Sequence, residues 1–288
     1  MKKKYYQLKK KLKAYRLIYR RWRVATQWGS EALENSPKLV GIALPKGGSH
    51  FIHQVLSGFA DIGPFIKPGF PPVNRFEDNS HLSEKEITAN LENMGSGEIR
   101  YGYLPCREPY LSVLTGEDRA NVFIYRDPRD LIVSHVFYAA DMYQDHGMHD
   151  HYNEELQTME ERINFAIMGS NVPGLELPSV SERYSGYLPW LELPNVFQVR
   201  FENLILNRRT SLSKLIDYVQ TFGINFSVAK EEAIDRLERS IQPKKAGTFR
   251  KGQPGNWEEH FTEENKQRFK TAAGDLLVKL GYEKDQNW

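Results

Sequence analysis

Cysteine is nearly absent: Cys106 is the single one in 288 residues. That excludes an intramolecular disulfide and a zinc site built on cysteines, and fits a reducing compartment. No apolar run approaches the roughly 18 residues of a spanning helix. The chain does not open on a charged stretch, an apolar stretch and a small-residue cleavage site, so no secretory leader is expected and the location expected is cytoplasmic. Internal repeats and low-complexity tracts are missing too. Acidic residues are absent from positions 1–28, where eleven Lys and Arg stand; the remaining 28 basic residues face 37 acidic ones, so a net charge of +2 conceals a body of −9. Such a body repels phosphate backbones, and no nucleic-acid partner is expected.

Within that basic arm Tyr5, Leu8, Leu12, Tyr15, Tyr19 and Trp22 recur at alternating steps of three and four. This spacing draws one apolar stripe along a helix otherwise covered with cations. Two placements stay open: the stripe lies on an anionic membrane surface, making the protein peripheral there, or it packs on the chain's own core or a second subunit. The organisation expected is a basic amphipathic helix over 1–34 and one domain over 35–288, a length suited to a single sizeable core.

Short apolar runs at 39–44, 121–125 and 196–201 read as buried strands, with a further short strand at 99–103. Helices are expected over 50–59, 83–94, 131–140, 154–168, 184–191 and 212–222. Pro64, Pro68, Pro71 and Pro72 make 61–80 a loop. Asp127 and Pro128 are suited to capping and opening the helix before Leu131. Strands alternating with helices predict an α/β three-layer sandwich around a mainly parallel sheet.

Three pieces carry chemistry. The turn Pro45-Lys46-Gly47-Gly48-Ser49 between a strand and a helix gathers backbone N–H groups, a helix N-terminus and a lysine around one point, which suits an anion. It departs from the nucleoside-triphosphate pattern G-x-x-x-x-G-K-[ST], because the lysine precedes both glycines. Glycine in such a turn also has a purely steric use. Arg126 ends a strand, with Ser134 eight residues on; both can reach one phosphate, although Asp127 and Asp130 are alternative partners for the arginine. Arg250-Lys251-Gly252 lies in a loop with Gly247 and Gly255 and suits a second phosphate contact.

Taken together, Pro45 to Phe51, Tyr125-Arg126-Asp127-Pro128-Arg129-Asp130 through Ser134, and Phe249-Arg250-Lys251-Gly252-Gln253-Pro254-Gly255-Asn256-Trp257 through Thr262 resemble the cytosolic-type sulfotransferase family in order and spacing. The resemblance implies a P-loop-like fold and, as donor, 3′-phosphoadenosine 5′-phosphosulfate (PAPS), leaving adenosine 3′,5′-bisphosphate (PAP), with no metal. It implies that Lys46 meets the bridging oxygen between phosphate and sulfate. Gly47, Gly48, Ser49 and His50 would hold the 5′-phosphate, and Phe51 would stack on adenine. Arg126, Ser134 and Arg250 would grip the 3′-phosphate, beside Phe249, Lys251 and Gly252. Sulfuryl transfer through a loose transition state then rests on alignment and charge stabilisation.

The match departs from the family at three places. Tyr103 of Tyr101-Gly102-Tyr103-Leu104-Pro105 stands where the family carries its catalytic histidine, and a phenol of ordinary pKa, about 10, is a weak base at neutral pH. Four readings remain: Lys46 activates Tyr103, His50 or His53 takes the proton, the acceptor is acidic enough to need little help, or catalysis is lost and the protein only binds nucleotide at a membrane. Phe201 stands where relatives have tyrosine, which removes a polar contact to adenine. Glu258 and Glu263 stand where the family's dimer motif has Lys and Val, so that dimer is not carried over and the oligomeric state stays open. The acceptor, a small or lipid-like molecule bearing a hydroxyl or amine, is expected against parts of 61–81, 103–111 and 137–190, where Phe65, Phe70, Phe137, Tyr138, Tyr143 and Phe165 supply apolar surface. The run Asp145 to His151 reads as a solvated tract rather than a metal site. The rival enzyme class is a nucleotide kinase on a similar sheet.

Overall fold

The structure is a computed structural model that describes residues 2–67, 69, 71–78, 80–242 and 252–288, with side chains from residue 15 onward. In chain order its elements are α1 (Lys2–Trp28), α2 (Ser30–Glu34), β1 (Lys38–Ala43), α3 (Ser49–Gly58), α4 (Glu84–Glu92), β2 (Ile99–Gly102), α5 (Tyr110–Leu114), β3 (Arg119–Tyr125), α6 (Pro128–Phe137), α7 (Met159–Met168), α8 (Val180–Ser185), β4 (Val196–Arg200), α9 (Phe201–Leu206), α10 (Arg208–Gln220), α11 (Lys230–Ser240), α12 (Glu263–Ala273) and α13 (Leu276–Lys279). None of the described helices is long and apolar enough to cross a membrane.

The four strands form one all-parallel sheet in the order β2-β1-β3-β4. Successive side chains of a strand point to opposite faces, and the sequence alternates accordingly. Val40, Ile42, Leu44 and Phe123 face a core completed by α6, α7, α8 and α12. Leu39, Ala43, Val122 and Ile124 face a second core completed by α3, α10 and α11. The result is the three-layer α/β sandwich that the apolar runs predict. A sheet covered on both faces leaves its strand ends as the exposed backbone termini, and every β-strand here is followed at its carboxyl end by a residue of the sequence motifs.

Local chemistry sets the helix starts. Asp127 accepts the N–H of Arg129 with Pro128 in the first turn of α6, and Ser83, Thr158, Ser179 and Thr262 form reciprocal capping boxes for α4, α7, α8 and α12. The sequence expectation fails in detail where side-chain packing overrides periodicity. The helix expected over 154–168 starts only at Met159, and 184–191 splits into the end of α8 and a separate 3-10 turn at 188–191. The helix through Ala140 widens into a π-turn over 138–142 after Phe137. At the amino end, α1 stops at Trp28, where Gly29 takes φ 94° and starts α2.

Candidate active site

At the end of β1 the chain enters a left-handed turn. Lys46 has φ 65° and Gly48 φ 108°, and the Gly47 N–H donates to Leu44 O at 2.9 Å. Gly48 is required there: a Cβ would stand 2.9 Å from both Ile124 Cδ1 and Phe201 Cδ2. The turn delivers the chain into α3, whose start has no side-chain cap and no acid in its first turn. Its first N–H groups, which have no intrahelical acceptor, remain for an anion. Lys46 Nζ lies 3.8 Å above the Tyr138 ring, so the cation stands at the mouth of the turn against α6.

Tyr103 enters from the end of β2. Its backbone N–H donates to Asn74 Oδ1 at 3.2 Å, and its hydroxyl lies 3.2 Å from Ser49 Oγ. The residue expected in the family's histidine position thus touches the first residue of α3. His50 is held below the ordinary imidazole pKa by burial and then by Lys46. His53 sits one turn further on with its ring 4.5 Å from that of Tyr101. Its buried Nε2 has no hydrogen-bond partner among the described residues, and burial, then His50, pushes it down to about 4. Burial and neighbouring positive charge thus disfavour the imidazolium form of both rings.

From the end of β3 comes Arg126. Its guanidinium stacks 4.8 Å from the Phe201 ring and is 3.7 Å from Asp130, while its buried Nε has no hydrogen-bond partner among the described residues. Asp127, the other alternative partner, is taken by Arg129 at 2.7 Å. Phe201, at the end of β4, meets Phe51 edge to face at 5.7 Å, so both aromatic candidates form one wall. Ser134 is half-buried on α6. Phe249, Arg250 and Lys251 lie outside the described residues. Gly252 is described, with φ 62°.

Two carboxylates, Asp130 and Glu202, hold these parts together. Asp130, fully buried, accepts the N–H groups of Gly255 and Trp257, each at 2.9 Å. It thereby pins the chain just after Gly252 beside Arg126. Burial raises its pKa, and Arg126 opposes that rise. Glu202 accepts the Asp127 N–H at 3.0 Å and the Tyr282 hydroxyl at 2.7 Å, tying the end of β4 to the start of α6; burial raises its pKa as well. A buried acid ringed by backbone donors is a tertiary arrangement, and only the presence of Asp and Glu inside the motifs hinted at it.

The apolar wall differs from expectation at Phe65, which is fully buried against Phe59 in the core under α3. Phe137 turns toward His260, ring centroids 5.1 Å apart, and Phe165 packs on His151 and Tyr152. Tyr138 stays against Lys46 and stacks on Tyr143 at 5.7 Å. Phe70 lies outside the described residues. In the 145–151 run, His146 Nδ1 accepts the Met148 N–H and His149 Nδ1 lies 3.0 Å from Ala139 O. Backbone groups occupy those ring nitrogens, and no group of three candidate metal ligands forms among the described residues.

Lys46, Tyr103, Arg126 and Phe201 each follow a different strand of the sheet, around the crevice where the strand order turns from β1 toward β2 on one side and β3 on the other. Open parallel sheets bind ligands at that place. Comparison with known proteins agrees with this layout. A mouse sulfotransferase solved in complex with PAP superposes with a TM-score of 0.58 at 16% identity, covering 88% of each chain. A retinol dehydratase solved with androsterone and PAP gives 0.52 at 14% identity, over 85% of this chain and 83% of that one. In sequence, a 3-alpha-hydroxysteroid sulfotransferase of Cavia porcellus is 24% identical over 239 residues, 77% of each protein. The family model described as Sulfotransferase domain matches residues 36–281: this chain belongs to the sulfotransferase family.

Proposed function

We propose that the protein transfers the sulfuryl group of PAPS to a hydroxyl or amine of a small amphipathic acceptor. The observation that carries this reading is Arg126. A buried guanidinium nitrogen with no hydrogen-bond partner among the described residues costs free energy, and a 3′-phosphate oxygen in the crevice between β1 and β3 supplies an acceptor for it. The Gly48 turn, which has no room for a Cβ, fits the close approach of a phosphate to backbone N–H groups. The residues present therefore fit the donor.

When bound, PAPS supplies an activated sulfuryl group whose bond to the bridging oxygen breaks as the bond to the acceptor oxygen or nitrogen forms. Lys46 stabilises the charge that grows on the leaving phosphate. Gly48, Ser49 and His50 offer N–H groups to the 5′-phosphate while the Gly47 N–H closes the turn on Leu44 O, Ser134 joins Arg126, and Phe51 and Phe201 form the wall for adenine, beside Gly252. Tyr103 accepts the acceptor's proton on Oη while passing its own to Ser49 Oγ, and Ser49 hands its hydrogen to the departing phosphate. This relay conserves every proton and needs no ionised phenol beforehand. His53, pushed down to about 4 with its Nε2 enclosed, is a weaker base than an ordinary imidazole, and the relay runs without it. The names of the related proteins, a 3-alpha-hydroxysteroid sulfotransferase and a retinol dehydratase solved with androsterone or with retinol, support an apolar alcohol as acceptor.

Calorimetric titration with PAP, with ATP as control, tests the donor. The wild type is expected to prefer PAP strongly, and Arg126→Ala to weaken it roughly ten- to hundredfold, the loss of charge-assisted hydrogen bonds worth about 1.5–3 kcal/mol. Equal affinity for ATP, or an unchanged Arg126→Ala, overturns the assignment.

A further inference from the structure

Helix α1 has two distinct faces. On one, Arg21 Nη1 donates to Ser96 O at 3.1 Å and pairs with Glu98 at 3.7 Å, Arg20 reaches Lys67 O at 3.3 Å, and Trp28 is half-buried. At about 100° per residue, the row Tyr15, Ile18, Tyr19 and Trp22 lies roughly 150° round the helix from this face. Those four side chains are 68%, 63%, 58% and 61% exposed, and Tyr19 stacks on Trp22 with ring centroids 5.9 Å apart. The row therefore packs neither on this chain's core nor on any other described part of it. Four large apolar side chains in one exposed row are unlike a scatter of single surface hydrophobes.

We propose that this row docks the protein on an anionic phospholipid surface, its rings at headgroup depth and the flanking Arg16 and Arg23 on lipid phosphates. Charge complementarity selects that occupant. Residues 1–28 hold eleven cations and no acid, against a remainder of net −9. An anionic surface attracts the arm and repels the body, so the arm alone approaches the lipid. Tyr and Trp are the side chains suited to the boundary between headgroups and acyl chains. A second copy paired along the same row would bring two uncompensated sets of cations together. The arm's contacts to Ser96 and Glu98 lie just before β2, at the amino end of the sheet, whereas the site lies at the carboxyl ends. Docking therefore leaves the site clear of the lipid, and it does not depend on the assigned activity.

The test is co-sedimentation of the full chain with vesicles of phosphatidylcholine alone and of phosphatidylcholine mixed with phosphatidylglycerol, at low and high salt. Each cation near an anionic surface contributes on the order of fivefold in affinity, so mixed vesicles should bind at least about tenfold better, and high salt should abolish the difference. Replacing the row (Tyr15→Gln, Tyr19→Gln, Trp22→Gln) should weaken binding at least about tenfold. The pair Arg16→Glu, Arg23→Glu should weaken it on the order of a hundredfold. All these side chains are exposed, so far-ultraviolet circular dichroism and the unfolding midpoint should match the wild type and show that the variants fold. Wild type that sediments with neither vesicle, or variants that sediment like wild type, overturn the proposal. So does a dimer in sedimentation velocity that the row variant dissolves while lipid binding is absent, which would give the face to a second copy.

Discussion

Replacing Gly48 by alanine tests the geometry of the phosphate turn most directly. The new methyl would stand 2.9 Å from Ile124 Cδ1 and from Phe201 Cδ2, where carbon atoms ordinarily keep about 3.5–4.0 Å. Alanine at φ 108° adds a backbone cost of roughly 1–2 kcal/mol, and overpacking a buried site costs about 1–3 kcal/mol. Chemical denaturation should thus place Gly48→Ala roughly 2–5 kcal/mol below the wild type. Ile124→Val removes one of the two obstructing atoms and costs about 1 kcal/mol alone. The double variant should then be more stable than the sum of the two losses, by about 1 kcal/mol, because the steric part is relieved and the backbone part is not. PAP affinity should remain at least about tenfold weakened in Gly48→Ala, since a displaced Phe201 takes Arg126 with it. A Gly48→Ala protein within about 0.5 kcal/mol of wild type, or strict additivity in the cycle, would refute the packing argument.

Asp130→Asn keeps the shape of the side chain but has one acceptor for two backbone donors, at Gly255 and Trp257. An unpaired buried N–H costs about 1–3 kcal/mol, so PAP affinity should fall about tenfold, and unchanged titration would show that this loop is no part of the donor wall. Tyr103→Phe should hold PAP affinity while lowering turnover about a hundredfold or more; equal turnover removes Tyr103 from the proton relay. For acid stability, above about pH 7.5 His53 is neutral both folded and unfolded. As pH falls below that value the unfolded chain takes up a proton that the native ring refuses until about pH 4, so stability declines across that window, by at most about 3 kcal/mol from this residue. Unfolding midpoints measured from pH 7 to 4 should fall less steeply for His53→Gln, and parallel curves would contradict the assignment.

Much of this layout is legible from local chemistry. Apolar runs at 39–44 and 121–125 are buried on both faces because the strands lie inside a covered parallel sheet. Asp127 caps its helix because its carboxylate sits two residues before an unpaired N–H. The Lys46 to Ser49 turn is placed by the strand before it and the helix after it, within a dozen residues. Phe65 misleads by the same logic: in a proline-rich loop it looks like surface, yet it inserts beside Phe59. The ends of 154–168 and 184–191 shift because capping hydrogen bonds at Thr158 and the packing of Trp190 outweigh apolar spacing.

By itself the sequence determined the order of strands and helices, the segregation of cations into the first 28 residues and the motifs that identify the family. Each of these depends on residues near one another along the chain. Only the tertiary structure decided that Tyr103 meets Ser49 across 54 positions and that Asp130 holds backbone 125 positions away. It also decided that the aromatic row of α1 faces outward. Sheet order and the packing of layers fix those contacts, and periodicity along a chain carries no record of which distant segment will fill a given space.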